Sequence, residues 1–282
     1  MALINIVGMA SLAMLAFAAN SLLARLALSQ TETDPATFSV IRLVSGAIFL
    51  LIFVALRYRR HPFDTGSWRS ALALFVYAVA FSYAYISLPT GIGALILFGS
   101  VQATMLCYGF TKGERFSALQ WSGFALACFG VVYLLSPGAT APALSGTVLM
   151  SIAGIAWGVY TLRAGGSDPI KTSASNFART VPMCLILFVV TLQYTQVDGS
   201  GLIYALASGV ITSGIGYVIW YTVLPHISVI NASTIQLSVP AIAALMGVLI
   251  LSEPLTLRLV LAALAILVGI AVVLRYKRQT SG

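Results

Sequence analysis

Acidic side chains are nearly missing from this chain. It holds seven Asp and Glu among 282 residues, and charged residues of both signs make up 8% of it. A water-soluble domain carries about 25% charged residues, so folding in water is a poor reading. The seven acids are Glu32, Asp34, Asp64, Glu114, Asp168, Asp198 and Glu253, and all fall between apolar runs or at their ends. Carriers driven by protons or sodium usually hold ionisable residues inside the membrane. No Asp, Glu or Lys stands mid-run here, so no relay of that kind is visible. Cysteine is scarce as well. Cys107, Cys128 and Cys184 lie in apolar runs, and an odd number so placed argues against a disulfide framework. They read as small packing residues. The two histidines, His61 and His226, lie outside the runs. There is no phosphate-binding P-loop, no H-E-x-x-H and no G-x-S-x-G. These absences disfavour an intramembrane hydrolase, and no cofactor and no metal are expected. The net charge of +8 comes with no RNA-binding signature or dense basic run, so no nucleic-acid partner is expected.

What the chain does have is apolar length. Hydrophobic residues are 60% of it. A bilayer core needs about 20 apolar residues per helix. Windows of that size, cut by Pro, Gly and charge, predict ten segments near 4–28, 36–57, 68–88, 91–111, 117–136, 144–164, 172–194, 200–223, 229–251 and 256–275. The cut between the third and fourth rests on Leu88-Pro89-Thr90-Gly91, which is turn chemistry. Ala16-Phe17-Ala18 imitates a signal-peptidase site, but no positive residue precedes the run and the run continues to about Leu28. The first segment therefore reads as a membrane helix. With a cytoplasmic N-terminus, eleven of the fifteen Lys and Arg fall at inner ends, and Arg25 and Arg258 at outer ends. That bias orients the chain with both termini in the cytoplasm.

The chain also repeats itself. Tyr85-Ile-Ser-Leu88-Pro89 is echoed by Tyr221-Thr-Val-Leu224-Pro225, Ser100-Val101 by Ser238-Val239, Glu114 by Glu253 and Gly130 by Gly269. More weakly, Phe17 is echoed by Trp157, Asp34-Pro35 by Asp168-Pro169, and Arg42 by Arg179. The expected fold is an all-α polytopic membrane protein of ten transmembrane helices, with residues 1–140 and 141–282 as two five-helix repeats. Five is odd, so the repeats should enter the membrane from opposite sides. Inverted repeats place a substrate site near the midplane where they meet.

Ten helices, a five-plus-five repeat, Gly113-Glu114-Arg115 and Ser252-Glu253-Pro254 at matching helix ends, the entry arginines Arg42 and Arg179, and Trp157 together resemble the drug/metabolite transporter superfamily. Within it the chain is similar to the EamA-type ten-helix exporters. The resemblance implies export of small metabolites, with relatives that favour amino acids bearing aromatic or apolar side chains. Two positions depart from the pattern: Phe17, where tryptophan is common, and Gln102, where the other half has Pro240.

Candidate substrate residues are uncharged. Tyr77, Phe81 and Tyr85 recur every four residues on one helix face. Their echoes are Ser213, Tyr217 and Tyr221. Asn20 and Ser21 interrupt the first run, and their echoes are Tyr160 and Thr161. Phe98 and Gln102 come from the fourth segment, Thr234 and Gln236 from the ninth. An amide in lipid must find partners or line a wet cavity, so Asn20, Gln102 and Gln236 are placed inward with Phe17 and Trp157. Such a cavity, without fixed charge, suits a neutral or zwitterionic solute with an apolar side chain. Ordinary helix packing competes for the aromatic residues, and Trp68 and Trp121 read as interfacial belts.

Candidate gate residues are Arg42, Glu114, Arg179 and Glu253, with Pro182 and Pro240 as flexing points. Orientation permits Arg42 to meet Glu253 outside and Arg179 to meet Glu114 inside. A simpler reading has each glutamate capping the helix that follows it. The expected mode is alternating access by facilitated diffusion or exchange in the cell inner membrane, by a monomer whose partners are a small-molecule substrate and lipid. A proton-coupled antiporter is the alternative.

Overall fold

The computed structural model describes residues 3–58, 65–111, 113, 117–136, 138, 141–163, 168–227, 232 and 235–275. Helices account for the ordered backbone there, and no strand occurs among the described residues. The ten helices are α1 (Leu3–Gln30), α2 (Pro35–Tyr58), α3 (Trp68–Tyr85), α4 (Thr90–Thr111), α5 (Ala118–Leu135), α6 (Leu144–Leu162), α7 (Pro169–Thr191), α8 (Gly199–His226), α9 (Ser238–Leu251) and α10 (Leu257–Arg275). Eight are long and apolar enough to cross a membrane. The tyrosines and Arg69 of α3 lower its mean hydropathy, and the described part of α9 is 14 residues. At 1.5 Å per residue, that part spans about 21 Å. The turn at Pro89 separates α3 from α4, as the sequence indicates.

The scarce acids have a local use. Asp34, Asp168 and Asp198 accept from the backbone N–H of Thr37, Lys171 and Gly201 at 2.9, 3.2 and 2.9 Å. Each thereby satisfies an orphan donor in the first turn of α2, α7 or α8. Ser67 does the same for α3, and Ser117 with Gln120 makes a capping box for α5.

Packing follows a pattern of exchange. The main pairs are α5 on α10, α2 on α7, α3 on α6, α8 on α1, α4 on α6, α2 on α8, α9 on α1, α4 on α9 and α3 on α7. Replacing every helix by the one five places away returns the same set: α3–α6 becomes α8–α1, and α4–α6 becomes α9–α1. The shared core consists of alanines, large aliphatic residues and aromatic rings on these faces, while Trp68 and Trp121 stay exposed at helix ends. Pro182 lies inside α7, which continues helical to Thr191. Pro240 is the third residue of the described α9, one turn past helical residues 235–236 and the turn at Leu237.

Candidate functional site

Two helices set the site's shape. α8 is α-helical to Ala207, π-helical over Ser208–Ile215, and α-helical again from Gly216. The neighbours Thr212 and Ser213, both within the wider π-helical turn, line the same cavity. Gly209 lets α8 lie directly on α2: a Cβ there would strike the Arg42 carbonyl and the Ser45 hydroxyl. α3 faces it across the cavity, with Tyr77 and Phe81 one turn apart.

Between these helices lies a narrow cavity of about 30 Å³. One water needs roughly 10–15 Å³ of such space, so this form holds about two waters and no metabolite. Its walls are Phe17, Asn20 and Ser21 of α1, Tyr77 and Phe81 of α3, Leu97 and Phe98 of α4, Trp157 of α6, Thr212, Ser213 and Tyr217 of α8, and Gln236. Trp157 is the hub of the rings. Its centroid is 4.8 Å from Tyr77, 5.4 Å from Tyr217 and 5.2 Å from Tyr160. Phe17 meets Tyr217 edge-on at 5.8 Å. Asn20 organises the polar side: its Oδ1 accepts from Ser208 at 2.7 Å and Thr212 at 3.1 Å, and its Nδ2 donates to the Tyr77 hydroxyl at 3.4 Å.

Of the thirteen residues singled out for substrate, the fold brings nine to this cavity. Four stand elsewhere. Tyr85 is fully buried and donates to the Thr90 carbonyl at 3.3 Å, under the α3–α4 turn. Tyr160 packs behind Trp157 and bonds Ser173 at 3.4 Å. Tyr221 meets Tyr217 edge-on from beyond the cavity, and Gln102 is buried with its Nε2 unpartnered, outside the lining. The four-residue period carries Tyr85 and Tyr221 one turn past the cavity, which is why a shared face did not mean a shared site. Leu97 and Thr212 were missed. The run Ser208-Gly209-Val-Ile-Thr212-Ser213-Gly214 was the available signal, since small and hydroxyl residues mark close helix contacts in membranes. Thr234 and Glu114 lie outside the described residues.

The lining itself holds no charged side chain, but one stands just behind it. Arg42 is only 2% exposed and sits directly behind the wall. Its Nη2 donates to the Tyr77 hydroxyl at 3.0 Å and its Nε to Ser213 at 3.4 Å. The guanidinium carbon lies 5.1 Å from the Tyr77 ring centre and 4.9 Å from that of Phe81. A pairing of Arg42 with Glu253 is therefore absent here, because Arg42 is held among the rings and Glu253 at the helix ends. Glu253 meets Arg25 instead, with Nε to Oε1 at 3.5 Å. Its carboxylate accepts from the Thr90 N–H at 2.8 and 2.9 Å and from the Thr90 hydroxyl at 3.0 Å. So Glu253 caps α4, across the chain, and not the helix that follows it. Thr256 caps α10, accepting from Leu259 N–H at 3.1 Å. Gly247 makes room for the returning carboxylate, which a Cβ would strike. Ser252 takes the left-handed turn, with φ 53°.

The rest of that membrane end is tied as well. Arg25 Nη1 donates to the carbonyls of Tyr85 and Ile86, both at 2.8 Å. Asp34 and Gln196 bond each other's backbone N–H, and Thr33 donates to Asp198 at 3.2 Å. At the other end, Arg179 Nη1 donates to the Thr65 carbonyl at 2.9 Å and also contacts Ser175. Ser67 N–H donates to Asn176 Oδ1 at 2.9 Å.

Comparison with known proteins agrees with this architecture. A model of the EamA-like transporter family matches residues 5–136 and again 144–275. An uncharacterized protein of Pseudomonas aeruginosa is 50% identical over 264 residues, 93% of this chain and 92% of that one. An Escherichia coli K12 protein named "probable amino-acid metabolite efflux pump" is 26% identical over 216 residues, 69% of this chain and 70% of that one. A crystal structure of 16% sequence identity superposes with TM-score 0.66, covering 97% of this chain and 98% of that one, and so shares the fold. Two matched repeats spanning nearly all of the ten-helix protein settle the assignment: the chain is a multi-pass membrane protein and belongs to the EamA-like transporter family.

Proposed function

We propose that the protein exports amino acids with aromatic or apolar side chains across a cell's inner membrane by alternating access. The observation that carries this reading is the lining of the central cavity. It is aromatic and uncharged, with hydroxyl and amide groups gathered on the Asn20 side. Rings accept an apolar side chain by burial and an ammonium by its attraction to the π face. The name of the Escherichia coli relative supports the same class of solute. Residues 1–140 and 141–282 act as two inverted repeats that rock about the cavity, and the exchange pattern of helix contacts supports that division. The bias of Lys and Arg supports an orientation with both termini cytoplasmic, which puts the Arg25–Glu253 end outside. The protein works as a carrier and not as an enzyme, a monomer surrounded by lipid, moving solute down its gradient or in exchange. No acid lies among the lining residues to bind a transported proton.

The test is efflux from proteoliposomes loaded with a labelled amino-acid panel, with and without a proton gradient. Efflux of phenylalanine-like solutes, unchanged by the gradient, is expected. Proton-driven accumulation against a solute gradient would establish the coupled antiporter instead, and no movement of any amino acid would end the reading.

A further inference from the structure

Arg42 is the single buried charged side chain among the described residues. It lies seven residues past Pro35, about 10 Å into the membrane at 1.5 Å per residue. A guanidinium keeps its charge, and at a helix centre it costs about 2.5–3.5 kcal/mol to insert. Buried charges normally come with a partner of opposite sign. Arg25 pairs with Glu253 and Lys171 with Asp168, and neither pair includes Arg42. What Arg42 has are two neutral oxygens, those of Tyr77 and Ser213, and two ring faces. Its Nη1 is buried and bonds nothing.

The surroundings say what is missing. Tyr77, Phe81 and Ser213 touch the guanidinium on one side and line the cavity on the other. The Tyr77 hydroxyl accepts from Arg42 and from Asn20 together. A neutral oxygen thus occupies the point where two donors converge, next to an idle third donor. An anion satisfies that arrangement better than a phenol does, and a planar carboxylate matches the guanidinium fork with two parallel bonds.

We propose that Arg42 is the anion anchor of the transported solute. A substrate carboxylate displaces the Tyr77 hydroxyl from Arg42, engages both terminal nitrogens, and supplies the counter-charge that the helices lack. The apolar side chain then lies among the rings of Phe17, Phe98 and Trp157. The protein therefore carries carboxylates with aromatic or apolar side chains and rejects the matching amides and amines. This inference rests on the export reading, since it takes the cavity to be the transport site, and it predicts a preference that the reading alone does not contain.

The test uses the full-length protein and four probes of similar shape: L-phenylalanine, 3-phenylpropionate, L-phenylalaninamide and phenethylamine. Efflux from proteoliposomes and ligand protection against thermal unfolding are measured for the wild type, Arg42→Gln and Arg42→Lys. In the wild type the two carboxylates should be preferred over the amide and amine by about 10- to 100-fold, the value of hydrogen bonds to a charged partner. Arg42→Gln should erase that preference, and its ligand-free melting temperature should equal or exceed that of the wild type. Arg42→Lys should keep part of the preference, because a point charge replaces a fork, and it carries the test if the glutamine variant does not fold. Equal handling of acid and amide by the wild type overturns the anchor, as does an equal loss for all four probes in Arg42→Gln or an unchanged preference in Arg42→Lys. Carboxylate protection without transport keeps the anchor and ends the export reading. Neither protection nor transport by any probe ends both.

Discussion

Arg42 and Arg179 stand at matching places in the two halves, one near the start of α2 and one near the start of α7, yet their surroundings differ in kind. Arg179 spends its donors on the Thr65 carbonyl and Ser175, at a membrane end, and so ties the segment before α3 to α7. Arg42 lies inside, takes hydroxyls from Tyr77 and Ser213, and keeps one nitrogen idle. Tyr77 and Ser213 are themselves repeat mates by sequence, and Arg42 holds both. The helices pack by an exchange rule, but the polar chemistry laid on them does not obey it. One arginine is structural and one is available.

That contrast gives the largest expected effect. Arg179→Gln should lower thermal stability by about 1 kcal/mol, the net value of a lost hydrogen bond, and leave the ratio of carboxylate to amide transport unchanged. Arg42→Gln should do the reverse, changing the ratio while leaving stability intact. The two melting curves and the two efflux ratios, measured side by side, decide it; a collapsed ratio in Arg179→Gln would erase the distinction between the arginines.

Next in size is the contact that holds Arg42 in place. A methyl at Gly209 meets the Arg42 carbonyl and Ser45, and overpacking of this kind costs about 1–3 kcal/mol. Gly209→Ala should lower the melting temperature and weaken carboxylate protection together, because α2 must move away from α8. Gly8 has nothing within 4 Å of its Cβ position, so Gly8→Ala should change neither. If the two variants behave alike, close α2–α8 packing does not position Arg42.

The sequence carried the coarse fold well. Ten helices, the break at Pro89 and the doubled motif follow from apolar run length and from punctuation, which are local signals. Eight cavity residues were legible because rings and amides inside apolar runs are costly unless they meet something, and Ser213 followed as the repeat mate of Tyr77. The pairing of charges was not legible. Run position told that Arg42 and Glu253 belong to the same half of the membrane, but depth decides contact. Arg42 is seven residues in and Glu253 lies past the end of α9, so Glu253 found Arg25 and Thr90 instead. The π-helical turn of α8 was also hidden, since backbone widening leaves no residue signature beyond small side chains. Thr212 and Ser213 both lie within that turn and line the cavity.

A smaller effect sharpens the contrast between membrane ends. Glu253→Ala removes the cap of α4 and the partner of Arg25 at once. Loss of a helix cap costs about 1 kcal/mol, and the partly exposed ion pair adds little. The melting temperature should fall accordingly. The rate of opening at this end, read by labelling a cysteine placed at Ser87, should rise. Glu253→Gln, which keeps one acceptor oxygen for the Thr90 N–H, should recover most of the stability. Equal loss in both variants would mean that the charge, and not the cap, closes this end.

The smallest expected effect is one of pH. Asp198 accepts from Gly201 N–H at the start of α8, and that bond holds its carboxyl below the usual carboxylate range, with the hydroxyls of Thr31 and Thr33 adding to it. A depressed value in the folded state means that the unfolded chain binds the proton more readily. The contribution of Asp198 is therefore complete above the unfolded value and is lost as pH falls through the folded one. Melting temperature should decline on acidification below the ordinary carboxylate range, and the decline should be shallower in Asp198→Asn. Because the group is open to solvent, added salt should blunt the charge contribution while the N–H···O bond persists. A decline of equal slope in Asp198→Asn would show that Asp198 does not carry the acid sensitivity.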